Sequence, residues 1–189
     1  MPIIRRLITL IVLGASTAAS AAGPTPAYTA DGKLKFPDDY REWIFLSAGL
    51  DMSYREDSGT ADHSTFDNVF VDPASYRDFL RNGTWPDKAL LVLESRGAAG
   101  AGSINRAGKF QTAERKGVEV HVKDTQRFSG GWAFFSFDGT QPASRIPVSE
   151  ACYTCHQQHA AVDTTFVQFY PTLLGIATRK GTLAPGYHP

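Results

Sequence analysis

Cysteine is almost missing from this chain: Cys152 and Cys155 are the only two in 189 residues. A structural zinc site normally draws four ligands from Cys, His or carboxylates, and no second Cys pair is present to complete one. An excess of one charge is also missing, with nineteen basic residues against nineteen acidic. That balance argues against a nucleic-acid binder, which would show a basic surplus, and against an anionic membrane surface as partner. No apolar run reaches transmembrane length; Leu7 to Ala15 is the strongest and is too short to span a bilayer. Nucleotide-binding motifs are lacking as well. Gly100-Ala101-Gly102 is followed by Asn105 where a dinucleotide fingerprint needs glycine, and no Gly-Lys-Ser/Thr occurs. There is no internal repeat, and apart from the initiator the one methionine is Met52.

What the chain does have is Cys152-Tyr153-Thr154-Cys155-His156. This is the Cys-x-x-Cys-His form of a c-type haem attachment site, in which each thiol adds to a haem vinyl group and the neighbouring imidazole binds iron. At roughly 100° of rotation per helical residue, the three side chains project from one side of a helix. Pro147, Ser149 as a cap and Glu150 in the first turn suit a helix start. A thioredoxin-like dithiol would belong beside a strand–helix unit and does not need the histidine. A plain disulfide here would close too short a loop to stabilise much.

The chain start points to the compartment where such attachment happens in bacteria. Arg5 and Arg6, the apolar run from Leu7 to Ala15, and the small residues Ala19-Ser20-Ala21-Ala22 read as a secretory signal peptide over 1–22, in preference to an uncleaved tether. The expectation is a periplasmic protein cut near Ala21–Ala22, with a single domain over 23–189. Twelve Phe, seven Tyr and three Trp supply apolar bulk for a core or for the walls of a haem pocket.

Along the domain, Gly23 to Leu34 reads as a loose leader, followed by a turn near Asp38-Asp39-Tyr40 and the apolar run Trp43 to Leu46. Arg55 to Ser64 reads as a loop, Phe66 to Val71 as a strand, and Pro73 opens a short helix that stops at Asn82-Gly83. Ala89 to Ser95 is a further strand, Gly97 to Gly108 a glycine-rich mobile loop. Gly117 to Lys123 alternates, with Val118, Val120 and Val122 on one face and Glu119, His121 and Lys123 on the other, more exposed one. Trp132 to Phe137 follows the Gly130-Gly131 turn, then the Cys-x-x-Cys-His helix, then an apolar segment from Thr165 to Ala177 interrupted at Pro171. Strands precede the haem helices without regular alternation. The expected fold is therefore α+β, a mainly antiparallel sheet packed with several helices, with the haem-binding helix near the C-terminus.

Several stretches together resemble the cytochrome P-460 family, which includes the beta-type cytochromes c-prime. They are Phe36-Pro37 with Tyr40-Arg41-Glu42-Trp43, Val69-Phe70-Val71-Asp72-Pro73, Gly83-Thr84-Trp85-Pro86-Asp87, Val122 to Phe128, Trp132-Ala133-Phe134-Phe135, the haem motif, and Thr165 to Pro171. The similarity runs roughly from Phe36 to Leu174. It implies an antiparallel sheet with flanking helices, one haem c held by Cys152 and Cys155, His156 as the proximal iron ligand, and commonly a homodimer. The enzymatic members carry a lysine bonded to the haem ring; the matching position here is Leu93. Lys88 lies five residues earlier, an odd offset that points it to the opposite strand face. The resemblance therefore implies the pattern of the beta-type cytochromes c-prime, which bind small gaseous ligands in an apolar distal pocket, and puts hydroxylamine oxidation in doubt.

For the sixth iron position, Met52 would make an electron carrier but reads better as packing. His159 follows His156 on the same helix and cannot reach the opposite haem face. His63, His188 and His121 read as solvated. Glu119 resembles, by strand position, a carboxylate that some family members place near the distal pocket, where it could accept a proton. Otherwise it is an ordinary surface charge. Phe66, Phe70 and Phe135 are candidate pocket walls or, more simply, core. The expected function is a mono-haem c-type cytochrome binding nitric oxide or carbon monoxide with one-electron redox. The alternatives are an oxidoreductase acting on hydroxylamine or nitric oxide with Glu119 as base, and a simple electron-transfer cytochrome c with an unidentified redox partner.

Overall fold

The computed structural model describes residues 25–53 and 64–187. The proposed signal peptide, most of the Arg55 to Ser64 segment including His63, and His188 lie outside the described residues. Five strands form one antiparallel sheet in simple chain order: β1 (Ile44–Leu50), β2 (Thr65–Val71), β3 (Leu90–Ala99), β4 (Phe110–Lys123) and β5 (Trp132–Phe137). Among the described residues three α-helices accompany it: α1 (Pro73–Asn82), α2 (Ala151–His159) and α3 (Pro171–Lys180). The fold is α+β.

Local sequence accounts for most element ends. Asp72 caps α1, its carboxylate accepting from the backbone N–H of Ala74 at 3.0 Å and Ser75 at 2.8 Å, and Pro73 occupies the first helical position, where a missing N–H costs nothing. Gly83 ends the helix in the left-handed region at φ 75°. Pro171 opens α3 in the same way as Pro73 opens α1, after a single 3-10 turn at Val167–Phe169.

Four expectations need correction. β4 begins at Phe110, well before Gly117, because β3 also runs on to Ala99 and pairs with it, Ala98 opposite Gln111. The glycine-rich loop is correspondingly shorter. The leader is ordered from residue 25: Leu34 exchanges two 2.9 Å backbone bonds with Ala143 and is buried. Ser149 does not cap α2; Glu150 holds the cap position with no side-chain cap bond. The Glu119–His121–Lys123 face of β4 is only partly solvated: Glu119 is exposed, as expected, but His121 is buried and Lys123 half-buried.

The sheet thus has two buried faces. Val92, Val118, Val120, Val122 and Phe135 form one core with Leu34 of the leader and with Tyr40 and Trp43 just after it. Leu46, Val71, Leu91 and Trp132 form the other with Phe79 of α1, Trp85, Val162, and Leu173 and Ala177 of α3. A central strand buried on both sides reads as a continuous apolar run, which Ala89-Leu90-Leu91-Val92-Leu93 is.

Candidate functional site

Of the three α-helices, α2 alone buries none of its residues. Its Cys152, Cys155 and His156 are all half-buried and both thiols are free. Burial pushes the Cys152 thiol up, and nearby Glu119 and Glu150 add to this against two backbone hydrogen bonds. Tyr153 ties the helix to the sheet: its hydroxyl donates to Ile146 O at 3.0 Å and accepts from Phe134 N–H at 3.2 Å.

The His156 ring turns inward. Its Nδ1–H donates to the Thr164 carbonyl at 2.7 Å, which fixes the tautomer and leaves Nε2 as the lone-pair nitrogen. Burial pushes its pKa down, opposed by the Thr164 bond, so the ring stays neutral, the form that binds metal. Phe166 and Phe134 pack on it, with ring centroids 4.2 Å and 4.6 Å away.

Beside His156 lies a cavity of about 220 Å³, walled mainly by Val69, Leu91, Leu93, Phe166 and Tyr170. Glu119 is its one carboxylate. Leu93 sits in register between Val69 of β2 and Glu119 of β4, so the strand position matched earlier to the cross-linking lysine does face this space. Glu119 keeps solvent contact through the cavity mouth, yet the surrounding protein desolvates it enough to raise its pKa, and Asp67 raises it further. Lys88 cannot stand in at Leu93: its ammonium is bonded to Asp124 and lies 3.7 Å from Asp87.

The remaining candidates separate cleanly. Met52 is 41 % exposed and lines a smaller lobe of about 120 Å³ that shares Val69, Leu93, Phe166 and Tyr170 with the main cavity. His159 is exposed at the C-terminal end of α2. Phe70 and Phe135 pack in the core on the opposite sheet face, and Phe66 does not line the cavity; Phe134, Phe166 and Tyr170 supply its aromatic walls. His121, read from sequence as solvated, is buried. It stacks on Phe134 with centroids 3.9 Å apart, meets His156 edge-on at 5.2 Å, and is held well below its ordinary pKa by burial, with His156 adding to it. Its burial left no signal in the strand's own alternation: Glu119, two residues earlier on the same face, is exposed.

These residues fit a c-type haem. Two free thiols stand one helical turn apart, an adjoining neutral imidazole has its second nitrogen free, and an apolar cavity opens beside it. Among the described residues no group of three His, Cys, Asp or Glu stands close enough to hold a bare metal ion. No helix among the described residues is long and apolar enough to cross a membrane. The model of the family described as Cytochrome P460 matches residues 37–167. No curated protein matches the chain.

Proposed function

The chain belongs to the cytochrome P460 family, which implies a haem c protein, and from that premise we propose that it is an exported mono-haem cytochrome that binds small neutral ligands. Cys152 and Cys155 would hold the haem through thioethers, and His156 Nε2 would bind its iron. The group would supply one-electron redox and a binding position for a diatomic ligand. Thr164 O orients the axial imidazole. Leu93, Val69 and Phe166 exclude water and favour nitric oxide or carbon monoxide over charged ligands, because burying a charge without a partner is costly.

The observation that carries this reading is the His156 ring, pinned through Nδ1 with Nε2 left free beside an apolar cavity. Its test is the reduced optical spectrum of protein exported alongside a haem-attachment system. A high-spin ferrous spectrum that changes on adding carbon monoxide is expected; a low-spin spectrum that ignores carbon monoxide would remove the open site and favour Met52 as sixth ligand. Cys152→Ala with Cys155→Ala should abolish haem staining in a denaturing gel.

One observation favours a second reading. Glu119 is a carboxylate on the cavity wall with a raised pKa, suited to accept a proton from hydroxylamine or a related nitrogen substrate. In that reading the protein is an oxidoreductase, and Leu93 marks the absence of a ring-bonded lysine. Cleavage near Ala21–Ala22, periplasmic location, a redox partner protein and homodimer formation belong to the same proposal and come from the motif, the chain start and the family.

A further inference from the structure

His121 is a buried imidazole that the haem reading leaves without a task. Moving it out of water has a cost unless its nitrogens are used, and an apolar residue would fill the same space between Trp132 and Phe134. Its surroundings show what it is used for. Three ring contacts hold it: Phe134 stacked at 3.9 Å, Trp132 tilted at 4.4 Å and His156 itself edge-on at 5.2 Å. With the ring so fixed, Nε2 lies 3.3 Å from the Thr164 hydroxyl. Thr164 is the residue whose carbonyl takes the His156 Nδ1 proton at 2.7 Å.

The tie is not isolated. His121 and Lys123 stand two apart on β4 and so project from the same sheet face. Lys123 Nζ donates to Asp163 Oδ2 at 3.2 Å and to Trp85 O at 2.8 Å. Trp85 Nε1 in turn donates to Thr165 Oγ1 at 2.7 Å. Three successive loop residues, Asp163, Thr164 and Thr165, are therefore each held by a side chain from the sheet or the turn before β3. The middle one carries the carbonyl that sets the tautomer and rotation of the axial histidine. Asp163, in the left-handed region at φ 54°, and Thr164 form the tip of a tight turn that Val162 and Thr165 close through backbone bonds of 2.9 and 3.4 Å; the side-chain ties fix where that turn sits against the sheet.

We propose that His121 is a positioning residue for the axial ligand, acting through the Thr164 hydroxyl to hold the carbonyl that orients His156. This rests on the haem reading above. Partners one step removed from a metal tune it through the ligand's orientation and basicity.

The test uses the haem-loaded, full-length protein and reads the ferrous iron–histidine stretch by resonance Raman, together with the ferric/ferrous equilibrium against a redox dye. His121→Phe keeps the stack on Phe134 and removes the nitrogen. Thr164→Val keeps the shape and the carbonyl and removes the hydroxyl. Each should move the stretch in the same direction and shift the ferric/ferrous equilibrium on the order of tenfold. The double variant should add little beyond either single one, because both break one connection. Thr164→Ser, which restores a hydroxyl, should return the stretch to its wild-type position. Variants that carry haem with an unmoved stretch and equilibrium would overturn the proposal, whatever their thermal stability; so would a stretch moved by His121→Phe and not by Thr164→Val, because the direct ring contact with His156 would then be the cause. Should His121→Phe fail to accumulate, the Thr164→Val and Thr164→Ser pair decides the matter by the same readout. Wild-type protein that carries no covalent haem would overturn the haem reading itself, which the wild-type spectrum shows before any variant is compared.

Discussion

Glu119 shows how much one residue's meaning depends on what faces it. Alternation along β4 puts it opposite Val118 and Val120, and a glutamate on the polar face of a strand is ordinarily solvated. Here that face looks onto the cavity beside His156. A carboxyl with a raised pKa stays protonated to higher pH than an ordinary glutamate. If it serves as a proton acceptor it works only when ionised. Any hydroxylamine turnover should therefore be weak at low pH and rise through a value above the ordinary carboxylate range, as measured by initial rates across pH. Glu119→Gln should remove the turnover and leave carbon monoxide binding intact; unchanged turnover would take Glu119 out of the chemistry. The Cys-x-x-Cys-His spacing is readable at this scale because neighbours along the chain define it, and the haem role of Cys152, Cys155 and His156 is the proposal built on that spacing. The burial of His121 is not readable, because a single histidine on an alternating strand gives no sign of the Phe134 and Trp132 rings that enclose it.

Among the elements, α1 was the most legible, and the reason is local. Asp72, Pro73 and Gly83 fix its two ends through bonds made within the segment, so nothing distant is needed. Asp72 does more than cap. Its second carboxylate oxygen accepts from Leu90 N at 3.2 Å, which joins the helix start to the first residue of β3. Asp72→Ala should cost about 1–2 kcal/mol, seen as a lower urea midpoint with an unchanged slope. Asp72→Asn should cost much less, because an amide oxygen still accepts the capping bond. β4 was legible only in its second half. Its first half is largely exposed and mixed in sequence, from Phe110 to Lys116, and is a strand because the end of β3 is there to pair with it. A hydrogen-bonded ladder supplied by a partner leaves little trace in the strand's own pattern.

At the scale of the molecule, the sheet face away from the cavity hides a charged cluster. Glu94, 1 % exposed, accepts from Arg96 Nε at 2.6 Å and from Arg41 at 2.6 and 2.7 Å, and takes the Tyr40 hydroxyl proton bond as well. It ties the leader side of the molecule to the middle of the sheet. Burial by itself pushes the Glu94 carboxyl up, but the bonds from Arg96 and Tyr40 and the charge of Arg41 outweigh it and hold it below the ordinary range. A depressed carboxyl pKa stabilises the native state above the unfolded chain's value, and that contribution is lost as pH falls through the lower, folded value. Glu94→Gln leaves two guanidinium groups short of their counter-charge. Because Arg41 is half exposed, the cost should fall below that of a fully buried pair, at about 2 kcal/mol near neutral pH. Urea denaturation of wild type and variant at a series of pH values should show the gap closing in acid; a constant gap would mean the cluster contributes packing and not charge.

The sequence determined by itself whatever depends on neighbours along the chain: the thiol and imidazole spacing of the haem motif, the capped limits of α1 and the even–odd faces of β4. Each follows from bond geometry and helix or strand period over a few residues. Only the tertiary structure decided what those faces meet. It brought Leu93, Glu119 and Phe166 around one space next to His156. It also set His121 and Lys123 against a loop some forty residues later, and wrapped the leader over the opposite face. Contacts between segments so far apart depend on how every intervening element packs, and no local period records that.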